Sequence, residues 1–373
     1  MTKKKLFIKL SSSSIGKQEI KSVTQVLKSN YLGMGPIVKK FENKLEKFLK
    51  NKVACVSSGT SAIHMALQAL NLKKGDEVLV PSLTFVATYQ AISATGARPI
   101  SCDIDLEDFT IDLKDALKKI TKRTRVIIPV HYSGYPGNIL NVYKFAKKYR
   151  LRVVEDAAHA FGSYVEKKKI GSFGDIICFS FDGIKNITCG EGGCVVSSDK
   201  RIIETVKNIR FLGIIKESEK RYIKKKSFDI DVKSQGWRYH MSDINASIGL
   251  AQLKKINFFK KKRFFLISKY KEFLKDNSNI IFFKYNYKNI FPHIFVIKLK
   301  KIIDFEKIKN ILLKKNIEIG FHWKPAHTLS FYNEGVRLPN TEYIAKRMLT
   351  LPLHVELTER DIKYVCKELN KLI

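Results

Sequence analysis

The chain has 373 residues, 45% of them apolar, enough to fill a packed interior and to exclude wholesale disorder. Lys and Arg number 69 against 35 Asp and Glu, a net charge of +34 that raises the question of a polyanionic partner. The basic clusters at 3–5, 167–169, 224–226 and 260–263 are spread along the chain, so the charge reads as a solvated, lysine-rich surface with no nucleic-acid site.

In chain order, residues 53–56 read as a strand that passes through Ser57-Ser58-Gly59-Thr60 into a helix over 61–70. Gly75-Asp76 marks a turn before a strand at 77–80; a helix over 85–94 and an extended run at 98–102 follow. Next come a helix at 113–120, a strand at 125–130, a helix at 139–149 and a strand at 152–155. Two closely spaced strands are expected at 176–181 and 194–197. Strands alternating with helices predict an α/β fold with a mostly parallel central sheet and helices on both faces. In such sheets ligands bind beyond the carboxyl ends of the strands.

Beyond Ser242 the pattern changes to a long helix over 243–270, then extended runs at 279–284 and 293–298 and helices at 305–315 and 360–372. The expected division is a large domain over 1–245 and a smaller C-terminal α/β domain over 246–373. The charged segment 220–233 reads as an exposed loop. The six cysteines, Cys55, Cys102, Cys178, Cys189, Cys194 and Cys366, show no Cys-x-x-Cys pair and no zinc spacing. Reduced, buried thiols, no metal and a cytoplasmic location are expected. No apolar run is long enough to span a bilayer and the N-terminus makes a poor signal peptide, so no membrane partner is expected.

The chemistry concentrates at strand ends. Lys185 lies between the apolar run ending at Phe181 and the glycine-rich turn Gly190-Glu191-Gly192-Gly193. Desolvation there frees a lysine amine as a nucleophile. Asp156 closes Val153-Val154-Glu155, where it serves either as a cap for a following helix or as partner to a cation. A Schiff-base lysine plus an aspartate facing a pyridinium nitrogen is what a protein supplies to pyridoxal phosphate. Ser58, Gly59 and Thr60 open a helix whose first N–H groups suit a phosphate, or form an ordinary cap. Phe85 is placed to stack on a ring or to enter the core, and His159 to touch a ring edge or to be structural. Ser180 offers a phosphate contact or a turn hydroxyl.

With these residues stand Tyr31-Leu32-Gly33-Met34-Gly35-Pro36, the block Pro81 to Thr88, Glu155-Asp156-Ala157-Ala158-His159-Ala160, Gly171-Ser172-Phe173-Gly174-Asp175, Tyr239-His240-Met241-Ser242-Asp243 and Pro325-Ala326-His327. In these blocks, which cover nearly the whole chain, it resembles the DegT/DnrJ/StrS family of pyridoxal-phosphate-dependent nucleotide-sugar aminotransferases. The resemblance implies the fold of aspartate aminotransferase and a homodimer with shared sites. It makes Lys185 the Schiff-base lysine and Asp156 the partner of the ring nitrogen, with His159 near the ring hydroxyl and Phe85 stacked on the ring. Gly59, Thr60 and Ser180 would hold the phosphate, Arg238 would reach the partner subunit's phosphate, and His327 would lie near the sugar. Pro129-Val130-His131-Tyr132, Ile184-Lys185-Asn186-Ile187-Thr188-Cys189 and Ala326-His327-Thr328 look most like enzymes making UDP-4-amino-4-deoxy-L-arabinose. The implied reaction moves an amino group from glutamate to a nucleotide-linked 4-keto sugar, for surface glycan or lipopolysaccharide. Alternatives are a 3-aminotransferase, a keto-sugar dehydratase, against which Lys185 in place of histidine argues, and a non-catalytic pyridoxal-phosphate-binding regulator.

Overall fold

The computed structural model describes residues 7–225, 230–283, 285 and 289–373, apart from the side chain of Ser218. The basic cluster at 3–5, Lys226 of the cluster at 224–226, and Lys284 at the end of the expected run 279–284 lie outside the described residues.

The strands are, in chain order, β1 (Lys52–Val56), β2 (Glu77–Pro81), β3 (Arg98–Cys102), β4 (Thr124–Ile127), β5 (Arg152–Asp156), the small hairpin β6 (Tyr164–Val165) and β7 (Lys168–Lys169), then β8 (Ile176–Ser180) and β9 (Gly193–Ser197). Seven of them form the central sheet, in the order β1-β9-β8-β5-β4-β2-β3. β3, β2, β4, β5 and β8 pair in parallel, whereas β9 runs against both β8 and β1. Apart from β9, therefore, the strands point the same way, and their carboxyl ends share one edge. β2 and β8 are buried at every position, as expected of strands covered on both faces. Alternation sends Cys55, Ile177 and Phe179 into a core with helix Pro36–Leu49, and Ala54, Val56 and Cys178 into another with helices Gly59–Ala69 and Lys200–Ile209.

A second, antiparallel sheet has the order β10 (Ile280–Ile281), β11 (Phe295–Leu299), β12 (Met348–Leu351). Its core collects Leu266, Tyr270, Ile297, Leu312, Leu349 and Val365, and also Ile8 from the other end of the chain. The stretch after Ile8 is stitched to this unit: Ile8 N–H donates to Asn316 O at 2.8 Å and Leu353 N–H to Leu10 O at 3.0 Å.

Two expectations need correction. The single helix over 243–270 is two, Asp243–Lys254 and Ile256–Phe273, broken at Lys255 (φ −96°, ψ 1°). The first packs on helices Lys17–Lys28 and Pro36–Leu49 and the second on Glu359–Leu369, so packing partners change at Lys255 and the division expected at 245/246 falls inside a helix. The segment 220–233 is not all exposed loop. Tyr222 is buried at the end of helix Glu217–Tyr222, where its hydroxyl donates to Glu42 Oε2 at 2.5 Å and accepts from Arg210. The basic clusters also do structural work: Lys169 Nζ donates to Phe48 O at 2.7 Å, and buried Arg263 donates to His293 O at 2.5 Å.

Candidate active site

At the shared edge lies a cavity of about 420 Å³ lined by Gly59, Phe85, Asp156, Ser180 and Lys185, among others. The elements explain the convergence. β1 runs into helix Gly59–Ala69, β2 leads to helix Val86–Ser93, β5 ends at Asp156, and the connection from β8 to β9 carries Lys185.

Asp156 is buried. Its Oδ2 accepts from Thr88 Oγ1 at 2.7 Å and its Oδ1 from the Ala158 N–H at 3.2 Å. Turns, not the helix considered from sequence, follow it. Both oxygens are thus held by neutral donors, and no cationic side chain among the described residues pairs with it. A carboxylate so placed suits a cation in the cavity.

Lys185 sits on a braced turn. Its N–H donates to Asp182 O at 3.1 Å, and the next side chain, buried Asn186, donates from Nδ2 to Phe161 O at 3.2 Å and Phe291 O at 3.0 Å. From the N-terminal stretch, Ser13 Oγ donates to Gly183 O at 2.5 Å. Burial pushes the Lys185 ammonium below the ordinary lysine value, against the opposing pull of the Asp182 and Asp156 carboxylates. The neutral, nucleophilic amine is correspondingly easier to reach.

Ser58 caps helix Gly59–Ala69, accepting from the Ser61 N–H at 3.0 Å, so its hydroxyl is committed to the cap. Thr60 is exposed in the first turn and lines the cavity. A Cβ on Gly59 would stand 2.7 Å from Ser180 Cβ and 3.0 Å from its Oγ. The missing side chain lets the positive end of the helix reach Ser180 and leaves an anion cradle between them.

His159 lies against His293 (ring centroids 4.2 Å apart) and Trp323 (5.0 Å). Burial, and then the charges of Lys185 and His322, hold His159 well below the usual histidine range. Burial and Lys185 also take His322 down to about 4. The imidazoles beside Lys185 are therefore neutral at pH 7. Phe85 is 55% exposed at the rim, its ring 6.2 Å from Trp323.

Two of the residues read from sequence stand apart. His327 does not line the cavity: it is buried, with Nδ1 2.6 Å from Ser82 Oγ and Nε2 3.6 Å from Glu342 Oε1. Both ring nitrogens are thus occupied in pinning residues 325–327 beyond β2. Arg238 is exposed, bridged to Phe211, and outside this chain's own cavity. Sequence reading missed Thr84, Thr88, His131, His293, His322 and Trp323. The first three fall in blocks that carry the family resemblance. The last three come from the C-terminal unit, where no local pattern marks them. His131 is bound through Nε2 to Glu155 Oε2 at 2.6 Å, beneath the strand ends.

Among the described residues no group of three or more His, Cys, Asp or Glu is arranged to hold a metal ion. None of their helices is long and apolar enough to cross a membrane. The six cysteines are all buried and unpaired. A desolvated amine, a carboxylate held by neutral donors and a side-chain-free helix end in one cavity fit the pyridoxal phosphate expected from sequence.

Comparison with known proteins agrees. The profile of the DegT/DnrJ/EryC1/StrS aminotransferase family matches residues 13–370. The uncharacterized protein MJ1066 of Methanocaldococcus jannaschii is 37% identical over 370 residues, which cover 96% of each chain. PseC of Helicobacter pylori, an aminotransferase involved in the biosynthesis of pseudoaminic acid, superposes with a TM-score of 0.90 at 29% identity over 98% of each chain. Spr1654 of Streptococcus pneumoniae, provisionally assigned as a sugar aminotransferase, matches in its pyridoxal-phosphate form with a TM-score of 0.90 at 25% identity over 98% of each chain. The fold is that of these aminotransferases, and with a family match spanning nearly its whole length the chain belongs to the DegT/DnrJ/EryC1/StrS aminotransferase family.

Proposed function

We propose that the protein is a pyridoxal-phosphate-dependent transaminase that moves an amino group from glutamate to the ketone of a nucleotide-linked 4-keto sugar. The product would be a 4-amino sugar for a surface glycan or lipopolysaccharide. The observation that carries the reading is that Lys185, Asp156 and the Gly59 helix end line one cavity. The sugar class draws support from PseC and Spr1654 as described above, and the C4 position from the sequence wording around Lys185 and His131.

Bound in this cavity, pyridoxal phosphate supplies a carbonyl carbon that condenses with amines and a ring that accepts the electron pair left when a proton departs. Each residue then has a physical task. Lys185 would hold the cofactor through Nζ and would take and return a proton as general base and acid. Asp156 would pair with the ring nitrogen and keep it charged. The N–H groups of the first helical turn, with Ser180 and Thr60, receive the phosphate. Phe85 and Trp323 close the rim against water. Arg238, exposed in its own chain, would reach the phosphate of a partner subunit in a homodimer.

Gly59→Ala is expected to push the helix end away from Ser180 and to weaken cofactor affinity roughly tenfold, measured by fluorescence titration of pyridoxal phosphate into the apoprotein. The reaction itself is tested by incubating the protein and glutamate with UDP-, GDP- and dTDP-4-keto sugars and weighing the products. Amination at C4 of one nucleotide sugar is expected. Amination of 3-keto sugars alone, or loss of water without nitrogen uptake, would replace the proposal with the 3-aminotransferase or the dehydratase.

A further inference from the structure

We propose that Thr88, backed by Thr84, keeps the proton on the cofactor's ring nitrogen by holding the Asp156 carboxylate oriented toward it. The inference rests on the functional reading above and deepens it: it names the residues that set the electronic state of the ring.

Both threonines are buried, Thr88 to 0% and Thr84 to 1% exposure. Thr88 Oγ1 donates to Asp156 Oδ2 at 2.7 Å. A hydroxyl has one proton, so Thr88, having given its own, accepts from Thr84 Oγ1 at 2.9 Å. The two hydroxyl dipoles therefore point in series at the carboxylate and reinforce one another. The other oxygen, Oδ1, receives the Ala158 N–H. Among the described residues, the groups bonded to Asp156's side chain all donate to it, one to each oxygen, so the carboxylate is fixed in one orientation.

A pyridinium facing a carboxylate and a neutral pyridine facing a carboxylic acid differ only in where one proton sits. Without the Thr88 donor the carboxylate loses the bond that fixes Oδ2, and the ring nitrogen loses the aligned partner for its proton. Hydrogen bonds to a charged group are the strong kind, and Thr88 and Asp156 are both buried. Thr88 lies in the first turn of helix Val86–Ser93, its N–H bonded to Phe85 O at 3.1 Å, so the donor is fixed by the same turn that carries the rim aromatic. Thr88 and Thr84 are positioning residues, acting on the ring through Asp156.

The test reads the proton directly, by nitrogen NMR of pyridoxal phosphate labelled with ¹⁵N in the ring and bound to the full chain. In the unsubstituted protein the resonance is expected in the protonated-pyridine range. Thr88→Val is expected to move it toward neutral pyridine and to weaken cofactor affinity roughly tenfold or more. Thr88→Ser restores both, and Thr84→Val moves the resonance the same way by less. Cofactor bound to Thr88→Val with an unmoved resonance overturns the inference alone. If Thr88→Val does not fold by circular dichroism, an unmoved resonance in Thr84→Val overturns it. Failure of the unsubstituted chain to take up any labelled cofactor overturns the functional reading and this inference with it.

Discussion

Lys185→Ala is expected to purify without the visible absorption of bound cofactor and to transfer amino groups roughly 10⁴-fold more slowly, or not at all. Lys185 is the one lysine among the residues that line the cavity. On the proposed reading its amine does two jobs, first as nucleophile and then as proton carrier, and no other group lining the cavity is an amine that can take over the first. His159, His293 and His322 stand beside it but are driven neutral by burial, and an imidazole forms no Schiff base. The substitution leaves Asp156, Ser180 and the Gly59 helix end in place, so weak, non-covalent cofactor binding should survive. Lys185→Arg separates charge from nucleophilicity. It keeps a cation near Asp182 and Asp156, and the expectation is that it is equally inactive. Absorption spectra and product mass under saturating glutamate check both. A coloured, active Lys185→Ala protein would move the chemistry to another amine.

The largest effect on stability is expected at Arg210→Met. The Arg210 guanidinium is fully buried, with Nη1 2.7 Å from Glu42 Oε1 and 2.5 Å from Cys55 O, while Nη2 bonds Tyr222. Glu42 also accepts the Cys55 N–H at 2.9 Å. Burial alone would raise the Glu42 carboxyl, yet Arg210 and Lys207 hold it below the ordinary carboxylate value. Removing one member of a buried pair leaves the other charge in a dry site, which costs about 3–5 kcal/mol. Replacing both charges removes most of that penalty, so Glu42→Gln with Arg210→Met should recover much of the loss. Urea unfolding of these two variants against the unsubstituted protein measures this. An unchanged midpoint in Arg210→Met would mean that the triad contributes nothing net. The damage should extend to the cavity, because Cys55 lies in β1, whose next residues are the cap and first turn that make the anion cradle.

Much of the sheet was legible because its strands are short apolar runs bounded by turn residues. β3 and helix Ile139–Tyr149 occupy the segments expected, and the remaining central strands lie within three residues of theirs. The break at Lys255 was not legible, since neither Gly nor Pro stands at the break and only the change of packing partners marks it. Nor was β12, whose Met348-Leu349-Thr350-Leu351 is too short to declare a period. The site divides in the same way. Lys185, Asp156 and Gly59 announce themselves locally as polar or flexible residues at the ends of apolar runs. Thr88 does not, because its partner Asp156 is distant in sequence and only the sheet brings them together. His327 shows the converse: a residue within a telling block whose imidazole is spent on Ser82 and Glu342.

The amino-terminal stretch ties two bodies together. At Ile8 and Leu10 it is bonded to the C-terminal unit, and at Ser13 it grips the carbonyl of Gly183, two residues from Lys185. Through this stretch the turn that carries Lys185 is held from the smaller sheet as well as from the larger one.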